Sequence, residues 1–145
     1  MGFTCGGNSV IALMVGTLSA AAVGLFAHAI GYDRDGAFYP TVLTVVGLLY
    51  VLFSVMAGGH GLVVEVACFA IFAAFAAVGF KFGQWLVAVG LALHGLFDLA
   101  RHSFLVAPGA PAWWPAFCGA YDVVAALGLA ALLFARRQPL EQTTR

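Results

Sequence analysis

The chain has 145 residues, of which 63% are hydrophobic and 8% charged, with a mean hydropathy of +1.04 and a formal net charge of zero. A soluble domain carries about 25% charged and about 45–50% apolar residues. So little polar surface could not cover this apolar mass in water. The same composition excludes intrinsic disorder, and a neutral chain has no basic field with which to hold nucleic acid.

Five apolar runs approach the roughly 20 residues that a helix needs to cross the hydrocarbon core. They cover about residues 9–30, 39–56, 62–80, 83–106 and 112–135. The reading is an all-α integral membrane bundle of five transmembrane helices, one domain over residues 1–145, in contact with the lipid bilayer. Gly- and Pro-rich connections such as Ala57-Gly58-Gly59-His60-Gly61 and Ala107-Pro108-Gly109-Ala110-Pro111 punctuate the runs. Such short links predict antiparallel neighbours. Slim helices rich in Ala and Gly bury little surface alone, which points to a homo-oligomer or a larger membrane complex.

Alternate loops then collect Arg34, Lys81, Arg136, Arg137 and Arg145 on one side and Arg101 alone on the other. Positive charge concentrates in cytoplasmic loops. The expected orientation in the cytoplasmic membrane therefore has the amino end outside and the carboxyl end inside. Tyr32, Tyr39 and Trp85 would mark the inner interface, and Trp113 and Trp114 the outer one. A competing reading makes the first run a cleaved signal peptide ending at Ala27-His28-Ala29. No basic region precedes it, and the run is longer than a usual signal core. Gly6 stands where a myristoylation signal requires Ser or Thr.

Three acids, Glu65, Asp98 and Asp122, fall inside the predicted spans. Each would cost about 2.5–3.5 kcal/mol if ionised near the bilayer centre, so all are expected to face the bundle, to be paired or to be neutral. In the fourth span His94, Asp98 and His102 recur at i, i+4 and i+8, a stripe that drifts only about 80°. Gly90 extends the stripe one turn earlier, and Arg101 lies at i+3 from Asp98, within pairing distance. In the fifth span Cys118 and Asp122 start a similar stripe, continued by Ala126 and Ala130. The first span carries Gly16, Ala20, Gly24 and His28 in one line. Counted from the loops, His94, Asp98, His102, Cys118 and Asp122 gather in the outer half of the bundle. Glu65 and His60 are candidate outer members, and Cys68 shares the face of Glu65.

Imidazole, carboxylate and thiolate are the usual ligands of zinc, and imidazole also suits copper and iron. The leading reading is a divalent metal site, whose charge would offset the buried carboxylates. Three other readings compete. A chain of Asp, Glu and His can carry protons or ions, but the inner half holds only His28. Cys118 with a His base, or a metal-activated water, could act on a lipid-like substrate, without an evident oxyanion hole. The network could also serve packing alone, at about 0.6 kcal/mol per interhelical hydrogen bond. No haem is expected, because His28 and His94 differ in depth by roughly 10 Å and His60 falls in a loop.

The segment His94-Gly95-x-x-Asp98-x-x-x-His102, followed by Pro111-x-Trp113-Trp114-Pro115-x-Phe117-Cys118-x-x-Tyr121-Asp122, resembles small multi-pass bacterial membrane proteins of a family with no assigned function. The resemblance covers the last two spans and implies that the last hairpin is the functional part.

Overall fold

The computed structural model describes residues 5–101 and 109–137, with side chains from Asn8 onward. It contains helices α1 (Cys5–Ile30), α2 (Phe38–Met56), α3 (Leu62–Phe82), α4 (Gln84–Arg101) and α5 (Trp114–Arg137). Four of them, α1, α2, α3 and α5, are long and apolar enough to cross a membrane. Helix α4 is less apolar because its 18 residues include His94, Asp98 and Arg101. The fourth run was expected to reach residue 106. Residues 102–108, including the candidate ligand His102, lie outside the described residues.

Helix α5 lies between α1 and α4, and α4 in turn packs on α3 and α2. Helices α2 and α3 form an antiparallel pair. Consecutive helices are not always packing partners: α1 docks along α5 and makes no extended contact with α2. Small residues explain the α1–α5 contact. Ala12, Gly16, Ala20 and Ala27 form the buried line of α1, and a Cβ at Gly16 would collide with the Phe117 carbonyl. The small-residue line drawn through Gly24 to His28 bends to Ala27 instead, and the His28 side chain is 62% exposed.

Helix α4 is an inverted amphipathic helix. Leu86, Val89, Leu93, Leu96 and Leu99 form an exposed apolar stripe, whereas Val87, Leu91, His94, Asp98 and Arg101 are buried. A soluble helix would place these faces the other way round. Val87, Leu91 and Leu43 are fully buried and form the centre of the core with Phe72 and Leu129. Gly90 does not extend the polar stripe. It admits Leu43 and Phe75, whose side chains a Cβ there would meet at 2.7 and 2.9 Å.

The two ends of the bundle differ in charge. One end joins the α1–α2 loop, the α3–α4 turn and the carboxyl end of α5. Here the Gln84 side chain donates to the Gly36 carbonyl at 2.8 Å, and Arg136 donates to the Asp33 carbonyl at 3.1 Å. Arg34, Lys81, Arg136 and Arg137 are exposed at this end. The Asp33 side chain is buried and lies 2.8 Å from His28 Nδ1. That hydrogen bond holds its carboxyl below the usual carboxylate range, against the opposing effect of burial. The opposite end carries the α2–α3 turn with His60, and Trp113 and Trp114, with Trp114 edge-on to Phe53 at 5.0 Å.

Candidate metal centre

The site begins with two glycines. Gly95 follows His94 and Gly119 follows Cys118. A Cβ on Gly95 would stand 2.8 Å from the Gly119 carbonyl, and one on Gly119 would stand 2.9 Å from the Gly95 carbonyl. With no side chain on either, the backbones of α4 and α5 come together at this level, as small residues permit between helices in lipid. The side chains one residue earlier, and those a turn further on, are thereby carried into the same interface.

His94 Nδ1 lies 2.7 Å from Asp122 Oδ2 and 3.8 Å from Asp98 Oδ2. The Cys118 thiol donates to Asp122 Oδ2 at 3.7 Å. All four side chains are buried, with His94 and Cys118 2% exposed and both carboxylates fully enclosed. One donor atom from each lies within 4.8 Å of every other. The Phe72 ring stands edge-on to the His94 ring at 4.6 Å and fixes its plane. Among the described residues, neither oxygen of Asp98 has a hydrogen-bond partner, nor do Asp122 Oδ1 and the Tyr50 hydroxyl. Buried polar atoms are normally paired, so this concentration of unpaired oxygens asks for an explanation.

A second polar unit lies beside the first. Arg101 donates to both oxygens of Glu65, at 2.6 and 3.3 Å, and the pair is buried. The guanidinium also lies over the Tyr50 ring at 4.2 Å. The i+3 pairing of Arg101 with Asp98 is therefore not formed. A planar fork gains more from a bidentate carboxylate on α3 than from a single acid on its own helix. Glu65 is held by Arg101 and supplies no donor to the four-residue group. His60 lies apart as well: its ring bonds the Ala57 carbonyl at 2.9 Å in the exposed α2–α3 turn. Cys68 and Glu65 line one small cavity together with Tyr50, His94 and Arg101.

The donor set can be tested against an ion. Zinc bonds of about 2.0–2.3 Å in a tetrahedron place donor atoms roughly 3.3–3.8 Å apart. Two of the three stated separations, 3.8 and 3.7 Å, fall in that interval, and the 2.7 Å His94–Asp122 contact must open by about 0.6 Å or more for both groups to bind one ion. The widest, 4.8 Å, needs a closure of about 1 Å, within reach of a small rotation at χ1 or χ2. The residues therefore fit a small divalent cation by donor type, count and spacing. Sequence reasoning named all four of these neighbouring residues, together with His102, Glu65 and His60. It missed the Gly95–Gly119 contact and the Phe72 ring, for which periodicity carries no signal.

Comparison with known protein families, curated proteins and solved structures found no match.

Proposed function

We propose that this chain is a five-span protein of the cytoplasmic membrane that holds one divalent metal ion between α4 and α5, with His94, Asp98, Cys118 and Asp122 as its ligands. The observation that carries the reading is the convergence of four buried donors, among which Asp98 Oδ1, Asp98 Oδ2 and Asp122 Oδ1 have no hydrogen-bond partner of ordinary length among the described residues. Zinc suits a mixed set of imidazole, carboxylate and thiolate best, and copper or iron also accept imidazole. When bound, the ion supplies the positive charge that two enclosed carboxylates and a thiolate require. The protein's own groups do the rest. Phe72 holds the plane of the His94 imidazole, and Glu65 neutralises Arg101, a cation that would otherwise repel the ion. A set of four protein donors leaves no open position, which favours holding or passing on a metal over activating a water. His102 is not needed to complete that set.

The inward polar face and outward leucine stripe of α4 support counting it as a fifth span despite its lower hydropathy. The basic end, with Arg34, Lys81, Arg136 and Arg137, supports a cytoplasmic placement of that end.

A second reading rests on the 2.7 Å contact between His94 and Asp122. A carboxylate–imidazole pair beside Asp98 and Tyr50 could hold and pass protons in a coupled transporter. Two measurements separate the readings. Metal analysis of the detergent-purified protein is expected to give one ion per chain, and His94→Ala and Cys118→Ala to abolish it. Metal-free wild type, together with proton flux in proteoliposomes abolished by Asp98→Asn with Asp122→Asn, would favour the second.

A further inference from the structure

A groove of about 680 Å³ runs between α1 and α5 beneath the start of α2. It exists because α1 packs on α5 and not along α2. Its floor carries Gly24 from α1 and Gly128 from α5. A Cβ at either would meet only the Tyr39 hydroxyl, at 4.0 and 3.7 Å. Gly16 and Gly95 are required by close helix contact, whereas these two are not. They keep open a space that the described side chains do not fill. On α5 the lining runs from Tyr121 to Ala135, roughly 21 Å at 1.5 Å per residue. That is about two-thirds of the roughly 30 Å hydrocarbon core, enough to take an acyl chain that reaches past the midplane.

One end of the groove is polar and lies at the basic end of the bundle. His28 and Tyr39 line it. Arg34 stands beside Gly31, and Arg136 lies 3.7 Å from Asp33, the buried partner of His28, which places these two exposed cations nearest the groove. Lys81 and Arg137 are exposed at the same end of the bundle and lie over the rings of Phe82 and Trp85. Among the described residues at this end, Asp35 is the exposed acid. An apolar trough that ends near Arg34 and Arg136 has the form of an amphiphile with a negative head.

We infer that this groove binds one anionic phospholipid, with an acyl chain along Gly24 and Gly128 and the phosphate at the cationic end. The inference rests on the membrane reading and is independent of the metal centre. Juxtamembrane cations attract anionic lipid by about 1 kcal/mol each, about five-fold in affinity.

The test uses delipidated protein in detergent, supplied with phosphatidylglycerol or phosphatidylcholine and read by native mass spectrometry. Wild type is expected to retain one phosphatidylglycerol per chain with at least about a five-fold preference. Gly128→Leu fills the groove and is expected to cut retention of both lipids. Arg34→Gln with Arg136→Gln is expected to remove the preference and keep the chain contact. Gly24→Leu fills the groove from the other wall and serves if Gly128→Leu does not fold. Equal retention of the two lipids by wild type would overturn the inference, as would unchanged retention in both groove-filling variants. A dimer that excludes lipid and is lost in Gly128→Leu would assign the groove to a second copy and overturn it too. Metal content is expected to be unaffected in every folded variant, so loss of this site and loss of the metal centre are separately visible.

Discussion

His94 Nδ1 and Asp122 Oδ2 stand 2.7 Å apart in the sealed interface between α4 and α5, a direct contact between the polar stripes of the two helices. Their contact makes Asp122 the hub of the group, since the Cys118 thiol donates to the same oxygen. Asp122→Asn keeps the shape and removes the charge. It is expected to leave the protein folded and to reduce bound metal from one per chain to a small fraction. An ion bound at 100 times its dissociation constant stabilises by about 2.7 kcal/mol. A chelator should therefore lower the melting temperature of the wild type and leave that of Asp122→Asn unchanged.

The helix approach that creates the site has its own test. Gly95→Ala puts a methyl group 2.8 Å from the Gly119 carbonyl, a backbone atom that cannot turn aside. The helices must part, at a cost of about 1–3 kcal/mol, typical of overpacking, and metal affinity is expected to fall with them. Gly128→Ala is the control, because its new methyl group meets only a tyrosine hydroxyl at 3.7 Å. Thermal unfolding in detergent should separate the two clearly.

Arg101 and Glu65 form a buried ion pair, for which removing one partner and removing both have different consequences. Glu65→Ala leaves an enclosed guanidinium and is expected to destabilise by about 3–5 kcal/mol. Arg101→Met with Glu65→Leu replaces the pair by apolar groups of similar size and should recover most of that loss. Failure of the double variant to recover would mean that the charges are needed for something besides packing.

At the basic end, Asp33 provides a pH test. Its folded carboxyl titrates below the ordinary value because His28 hydrogen-bonds it. A depressed acid contributes stability that is present above the unfolded value, 3.8, and is lost as pH falls through the folded one. The α1–α2 loop should therefore loosen from α5 only in strong acid. Asp33→Asn is expected to be less stable at pH 6 and to show a smaller further loss between pH 6 and pH 3.

Much of this architecture is visible in the residues. The apolar runs mark the helices because a span has a fixed minimum length. The pairing of His94 and Asp98 with Cys118 and Asp122 follows from i, i+4 spacing on two helices joined by a short link. The partner of Arg101 could not be read, because Glu65 lies 36 residues away and helical spacing offered Asp98 as a nearer acid. The polar partner of His28 was missed because Asp33 sits in a loop, where periodicity says nothing. The groove along α5 was hidden for a related reason. Chain order makes α1 and α2 neighbours, but the small residues Ala12, Gly16 and Ala20 commit α1 to α5.

The decisive experiment is elemental analysis of the folded protein, purified from membranes through a tag that carries no histidine. One zinc, copper or iron ion per chain, lost in Asp122→Asn while the fold persists, is the predicted result. Folded wild type with no stoichiometric metal, and none taken up on titration, would contradict a metal centre between α4 and α5.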